Sequence, residues 1–148
     1  MTRRPLFSRL QRVLVPVVKG YMPVESIRLA QALAAETVLL GVVPVTGEEA
    51  VSRAAGDARR LRSEMRQLDL LPQTRMLPRV RVSPHPWEDL REVVETEEPD
   101  LTLLEWPQQV IALGLDDPEK LAELGCDLAM VRGPVPDKPE RILLALRG

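Results

Sequence analysis

Few side chains in this 148-residue sequence could do chemistry. The one histidine, His85, stands between Pro84 and Pro86. A general base needs a positioned partner, and a histidine in this setting otherwise reads as a loop or capping residue. Glu105 and Trp106 end an apolar run. Together they could hold a cation or a polar ligand, or leave a strand-end carboxylate for an arginine. Trp87 and Trp106 could stack on a planar ligand or pack in the ordinary way. Lys19, on the turn after the first apolar run, could meet a phosphate or stay solvated. Cys126 opens an apolar segment and reads as an inert core thiol. One cysteine excludes an intrachain disulfide and a cysteine-rich metal site, and one histidine leaves few options for zinc or a histidine-based triad. There is no Walker loop and no dinucleotide glycine fingerprint. No set of nucleophile, base and oxyanion donors is evident either, so the chain is not expected to be an enzyme.

The elements that must position these residues alternate. Residues 12–20 (Arg-Val-Leu-Val-Pro-Val-Val-Lys-Gly) form an unbroken apolar run, expected as a strand buried on both faces. Pro23 then sits in a first helical turn, and Val24, Ile27, Ala30, Leu33 and Ala34 mark one face of a helix ending near Glu36. Residues 37–45 are a second buried strand. Thr46 and Glu49 make a capping box for a long helix with Val51, Ala54, Ala55, Ala58, Leu61, Met65 and Leu68 on its apolar stripe. Its arginines, Arg53, Arg59, Arg60, Arg62 and Arg66, are interleaved with Asp57 and Glu64 and read as a solvated face rather than a nucleic-acid patch. Leu70-Leu71-Pro72 ends it. Residues 74–82 alternate and contain Pro78, which suits an edge strand. A short helix follows, with Leu90, Val93 and Val94 buried and Pro99 at its end. Residues 100–106 are a fourth buried strand and 107–115 a long connection. Asp117 is the N-cap of a last helix with Pro118 at its first position. Residues 126–132 are a fifth strand, and residues 141–146 a sixth apolar run that partly copies the first.

Size predicts one domain with a real core. Twenty basic against twenty-two acidic residues, a formal charge of −2, give no global field toward nucleic acid or anionic lipid. No run reaches the roughly 18–20 apolar residues of a membrane span. The first ten residues do not read as a secretory signal; Arg3, Arg4 and Arg9 around Leu6, Phe7 and Leu10 suit a terminal segment better than a membrane-surface anchor. A cytoplasmic protein is the expectation. Strands alternating with helices predict a doubly wound three-layer α/β sandwich with a mostly parallel sheet. Ligands of such sheets bind beyond the carboxyl ends of the strands, at the switch point. That rim comprises residues 16–19, 43–45, 82–85 and 106–109, with Val18, Lys19, Val43, His85, Trp106 and Gln109 as candidate binding residues.

In this order the motifs resemble the universal stress protein family. Val13-Leu14-Val15-Pro16-Val17 matches the family's opening Ile-Leu-Val-Pro-Val, and Leu39-Leu40-Gly41-Val42-Val43 its second strand. Asp100-Leu101-Thr102-Leu103-Leu104 stands where the family has Asp-Leu-Ile-Val-Met-Gly, and Cys126 to Arg132 where it has Cys-Pro-Val-Leu-Val-Val-Arg. The resemblance covers residues 12–133. It implies five strands in spatial order 3-2-1-4-5, the adenine nucleotide alpha hydrolase-like arrangement. Residues 1–11 would be an N-terminal extension. Residues 134–148 would be a proline-rich linker and an extra C-terminal strand, or the start of a second repeat. The resemblance also implies a homodimer, or a tandem pseudo-dimer, and a place in stress response; some members are soluble domains of transporters.

Many members bind ATP, through an aspartate after strand one and a Gly-x2-Gly-x9-Gly-Ser/Thr loop after strand four. Val18 stands in the aspartate's place and Glu105 in that of the first glycine. Trp106-Pro107-Gln108-Gln109 follow, and only Gly114 remains. A glycine loop would let backbone N–H groups close on phosphates; Pro107 removes one donor, and Asp116, Asp117 and Glu119 would repel the anion. The expectation is a regulatory or assembly module with no cofactor, ATP and AMP being the candidates if one is bound. The alternative is a small-molecule sensor binding at the same rim.

Overall fold

The computed structural model describes residues 10–18, 21–47, 50–68, 74–114 and 117–134. Five strands, β1 (Leu10–Val18), β2 (Ala34–Pro44), β3 (Arg75–Ser83), β4 (Leu101–Glu105) and β5 (Asp127–Val131), form one parallel sheet in order β3-β2-β1-β4-β5. Between them run α1 (Val24–Leu33), α2 (Ala50–Arg66), α3 (Pro86–Glu97), α4 (Gln108–Ala112) and α5 (Pro118–Glu123). This is the doubly wound α/β architecture and strand order that the universal-stress-protein resemblance implies.

Alternation along the central strand divides the core in two. Val13, Val15 and Val17 of β1 and Leu39 and Val43 of β2 meet Ile27, Ala30 and Leu33 of α1 and Ala54, Ala58, Leu61 and Met65 of α2. On the opposite face Leu14, Val18, Val38, Leu40, Val42 and Leu104 meet Leu90, Val93 and Val94 of α3, Val110 of α4 and Leu113. Gly41 sits under α2 because a side chain there would collide with it: a Cβ would lie 2.6 Å from Leu61 Cδ2.

The lower end of the sheet is tied by charge. Asp100 Oδ2 accepts from the backbone N–H groups of Gln11 (2.8 Å) and Arg12 (3.1 Å). Arg12 reaches Glu36 at 2.9 Å and the Glu97 carbonyl at 2.6 Å. Arg79 pairs with Glu97 at 3.1 Å.

Several boundaries differ from the sequence reading. Helix α1 stops at Leu33 and β2 starts at Ala34, three residues earlier than expected, because Ala34 and Glu36 pair with Leu10 and Arg12 of β1; strand pairing overrides the helical propensity of two alanines. Pro23 is the N-cap of α1 rather than a residue of its first turn, and Val24 is exposed. Val51 and Ala55 of α2 are exposed too, so the buried stripe is narrower than the periodicity implied. Strand β3 is the edge strand expected, but Val82 is exposed. The connection after β4 contains a short helix, α4. Asp117 caps α5 as expected, its carboxylate accepting from the Glu119 N–H at 2.9 Å. Glu48, Glu49, the Leu70-Leu71-Pro72 helix stop, the N-terminal segment and the sixth apolar run lie outside the described residues. Among the described residues no helix is long and apolar enough to cross a membrane.

Candidate functional site

The switch point falls between β1 and β4, and the two strands part there. They pair only at Val13–Leu101 and Leu14–Thr102, although both run further. Pro16 accounts for the break. In a parallel strand the N–H and C=O of one residue face the same neighbour, and a proline has no N–H to offer β4. Its carbonyl is taken up by Gln109, whose Nε2 donates to Pro16 O. The same amide's Oε1 accepts the N–H of Glu105 at 2.9 Å. Gln109, 1% exposed, therefore serves as a side-chain rung where the backbone ladder has lapsed.

The α1 side of the crevice is occupied by Glu105. Its Oε1 accepts from the N–H of Ser26 at 3.1 Å, and its Oε2 from the Tyr21 hydroxyl. Ser26 is the third residue of α1, and the N-cap, Pro23, has no capping side chain. The carboxylate thus stands at the positive end of α1, where an anion is favoured. Glu105 is buried, and a buried carboxylate persists only with donors such as these. Among the described residues no arginine pairs with it; a tyrosine and a helix N-terminus take that place. The bond to Glu105, then burial, then the charges of Glu105 and Glu25, push the Tyr21 pKa up to about 12.

Among the described residues, the backbone N–H groups at the end of β4 are already engaged. The N–H of Glu105 goes to Gln109, that of Trp106 to Val131 O at 2.8 Å, and Pro107, joined to Trp106 by a cis peptide, has none. The last residue of β4 and the two that follow it offer no backbone donor to a ligand. Val18, where nucleotide binders carry aspartate, is buried.

Of the six candidate rim residues, Val18 and Val43 come together, lining a cavity of about 330 Å³ with Val17, Tyr21, Met22 and Leu61. Asp57, Arg60 and Glu64 of α2 complete its wall. Gln109 lies in the fold's own hydrogen bonding, and Trp106 is half-exposed beside it. His85 is the N-cap of α3 at the end of the edge strand, with no capping bond from its side chain; two strands, about 14 Å at ordinary strand spacing, separate β3 from β4. The structure does not bring His85 and Trp106 to one site. Lys19 lies outside the described residues. Trp87 packs against the α3-side core. The Cys126 thiol, 3.1 Å from Thr102 Oγ1, is pushed up in pKa chiefly by burial and is a poor nucleophile at neutral pH. Among the described residues no cluster of His, Cys, Asp and Glu could hold a metal ion.

Tyr21 and Ser26 were not among the residues expected at this site. The available signal was Glu105 itself: a charge ending an otherwise apolar strand demands donors, and the turn after β1 is the nearest segment able to supply them.

The molecule is therefore a doubly wound α/β domain of universal-stress-protein strand order with an internally filled switch point. No family model and no curated protein matches the sequence. Among solved structures, it is similar to the hypothetical protein PH0823, with 13% identity over 86% of this chain and 99% of that one, at a TM-score of 0.56. A universal stress protein solved in complex with cAMP shares 16% identity over 84% and 98% of the two chains, TM-score 0.48. The hypothetical protein MJ0577, the subject of a structure-based assignment of biochemical function, shares 14% over 86% and 99%, TM-score 0.47. These likenesses concern the fold.

Proposed function

We propose that the chain is a universal-stress-protein-like regulatory or assembly domain that does not bind ATP. The observation that carries this reading is Glu105: its carboxylate fills the α1 end of the switch-point crevice and is bonded to Tyr21 and Ser26. A nucleotide phosphate would meet that charge, with the neighbouring N–H groups already taken. The reading assigns no catalytic step to the chain. Isothermal titration with ATP and AMP, with and without magnesium, tests it: no saturable heat is expected, and a micromolar Kd for either would overturn it.

A second reading rests on the cavity between the ends of β1 and β2. Its floor of Val17, Val18, Met22, Val43 and Leu61 and its wall of Asp57, Arg60 and Glu64 suit a small, largely apolar ligand with a polar edge. Thermal-shift measurement across a metabolite panel would favour this sensor reading if a ligand stabilised the native chain and Val43→Phe, which fills the cavity, removed the effect. A flat response throughout would reject it.

A further inference from the structure

Apart from Arg132, the arginines of the described residues fall into two groups. Arg12, Arg28, Arg75, Arg79, Arg81 and Arg91 each lie within 4.0 Å of a carboxylate. The five of α2 make no such pair among the described residues. They also divide by helix face. Arg53 and Arg60 share a flank with Asp57 and Glu64, next to the cavity just described. Arg59, Arg62 and Arg66, at i, i+3 and i+7, form a stripe on the other flank with no acidic residue of α2 among them. At 1.5 Å rise per residue the stripe is about 10 Å long.

The stripe borders apolar surface. Arg62 and Arg66 line a shallow recess of about 130 Å³ with Pro78 and Val80 of the edge strand. Val82, next on the same strand face, is 44% exposed. Cationic side chains beside an aliphatic strip match a partner in which carboxylates and aliphatic side chains alternate. Nucleic acid fits less well: the described aromatic residues, Tyr21, Trp87 and Trp106, belong to other parts of the fold and offer this face no stacking platform. Three arginines would also engage few phosphates.

We propose that the α2–β3 face is a docking surface for an acidic, aliphatic-rich protein segment, held by Arg59, Arg62 and Arg66 over Pro78, Val80 and Val82. This is independent of what the switch-point crevice binds. The probe is a short fluorescein-labelled peptide of alternating glutamate with valine or leucine, followed by anisotropy at low and physiological salt, with a lysine-for-glutamate peptide and a mixed-sequence oligonucleotide as comparators. Saturable binding of the acidic peptide is expected, weakened at least tenfold by R62E/R66E and less than twofold by R53E/R60E on the other flank. Circular dichroism melts check that the variants fold; should R62E/R66E melt early, R62Q/R66Q supplies the comparison, with a weakening of at least threefold expected. Three results would each overturn the proposal: no binding of the acidic peptide, tighter binding of the oligonucleotide, or equal loss from the two flanks.

Discussion

Replacing Glu105 probes the crevice most sharply. Glu105→Ala removes the acceptor for the Ser26 N–H and for the Tyr21 hydroxyl. Tyr21 is about a third exposed and can turn to water, whereas Ser26 is fully buried and its N–H is stranded. A stranded buried donor costs about 1–3 kcal/mol, and loss of a charge at a helix N-terminus about 0.3–1 kcal/mol more. Part of this is offset because a carboxylate is no longer buried. The net expectation is a destabilisation of about 2–3 kcal/mol, which for a domain of this size lowers Tm by roughly 5–10 °C. Glu105→Gln keeps Oε1 for Ser26 and can donate to the Tyr21 oxygen, which is able to accept; its cost should be about 1 kcal/mol. Urea unfolding of the three proteins, followed by circular dichroism, measures both differences. An alanine variant within about 0.5 kcal/mol of the parent, or a glutamine variant as damaged as the alanine one, would show that Glu105 does not hold the Ser26 N–H in this way.

Gly41→Ala should cost about 1–2 kcal/mol by crowding Leu61, and Leu61→Val in the same chain should recover part of it; a double-mutant cycle in urea reads the coupling. Gln109→Leu leaves both Pro16 O and the Glu105 N–H unpaired, so a loss of about 2–4 kcal/mol is expected, with faster hydrogen exchange at the Glu105 amide. The Tyr21 shift makes stability depend on alkaline pH. Between 10.0 and about 12 the unfolded chain loses the phenolic proton while the native chain keeps it. The native state then binds more protons and stability falls as pH rises through that window. Tyr21→Phe should remove this part of the decline, as denaturant midpoints measured across the same range would show.

The alternation of elements and the two-faced core were readable in the sequence because each buried strand is a continuous apolar run and each long helix has a stripe; the strand order followed only from the resemblance to universal stress proteins. The exceptions have local causes. Ala34 and Ala35 favour helix, yet pairing of Ala34 with Leu10 places them in β2. The five residues of α4 are too few to show a period. Val51 and Val82 continue apolar patterns but are exposed. The crevice was legible only in part. Pro16 and Glu105 were visible as departures from a plain strand and a glycine loop. What answers them lies far along the chain: Tyr21 and Ser26 are 84 and 79 residues from Glu105, and Gln109 is 93 from Pro16. No local pattern encodes such partners, which fold topology alone brings together.

The chain's own Glu105 and Gln109 fill the switch-point crevice. Amide chemical shifts of Ser26, Glu105 and Trp106, followed while ATP is titrated to millimolar concentration, test it at the atoms concerned. All three signals are expected to stay fixed. Saturable movement of these three signals at micromolar ATP would contradict it.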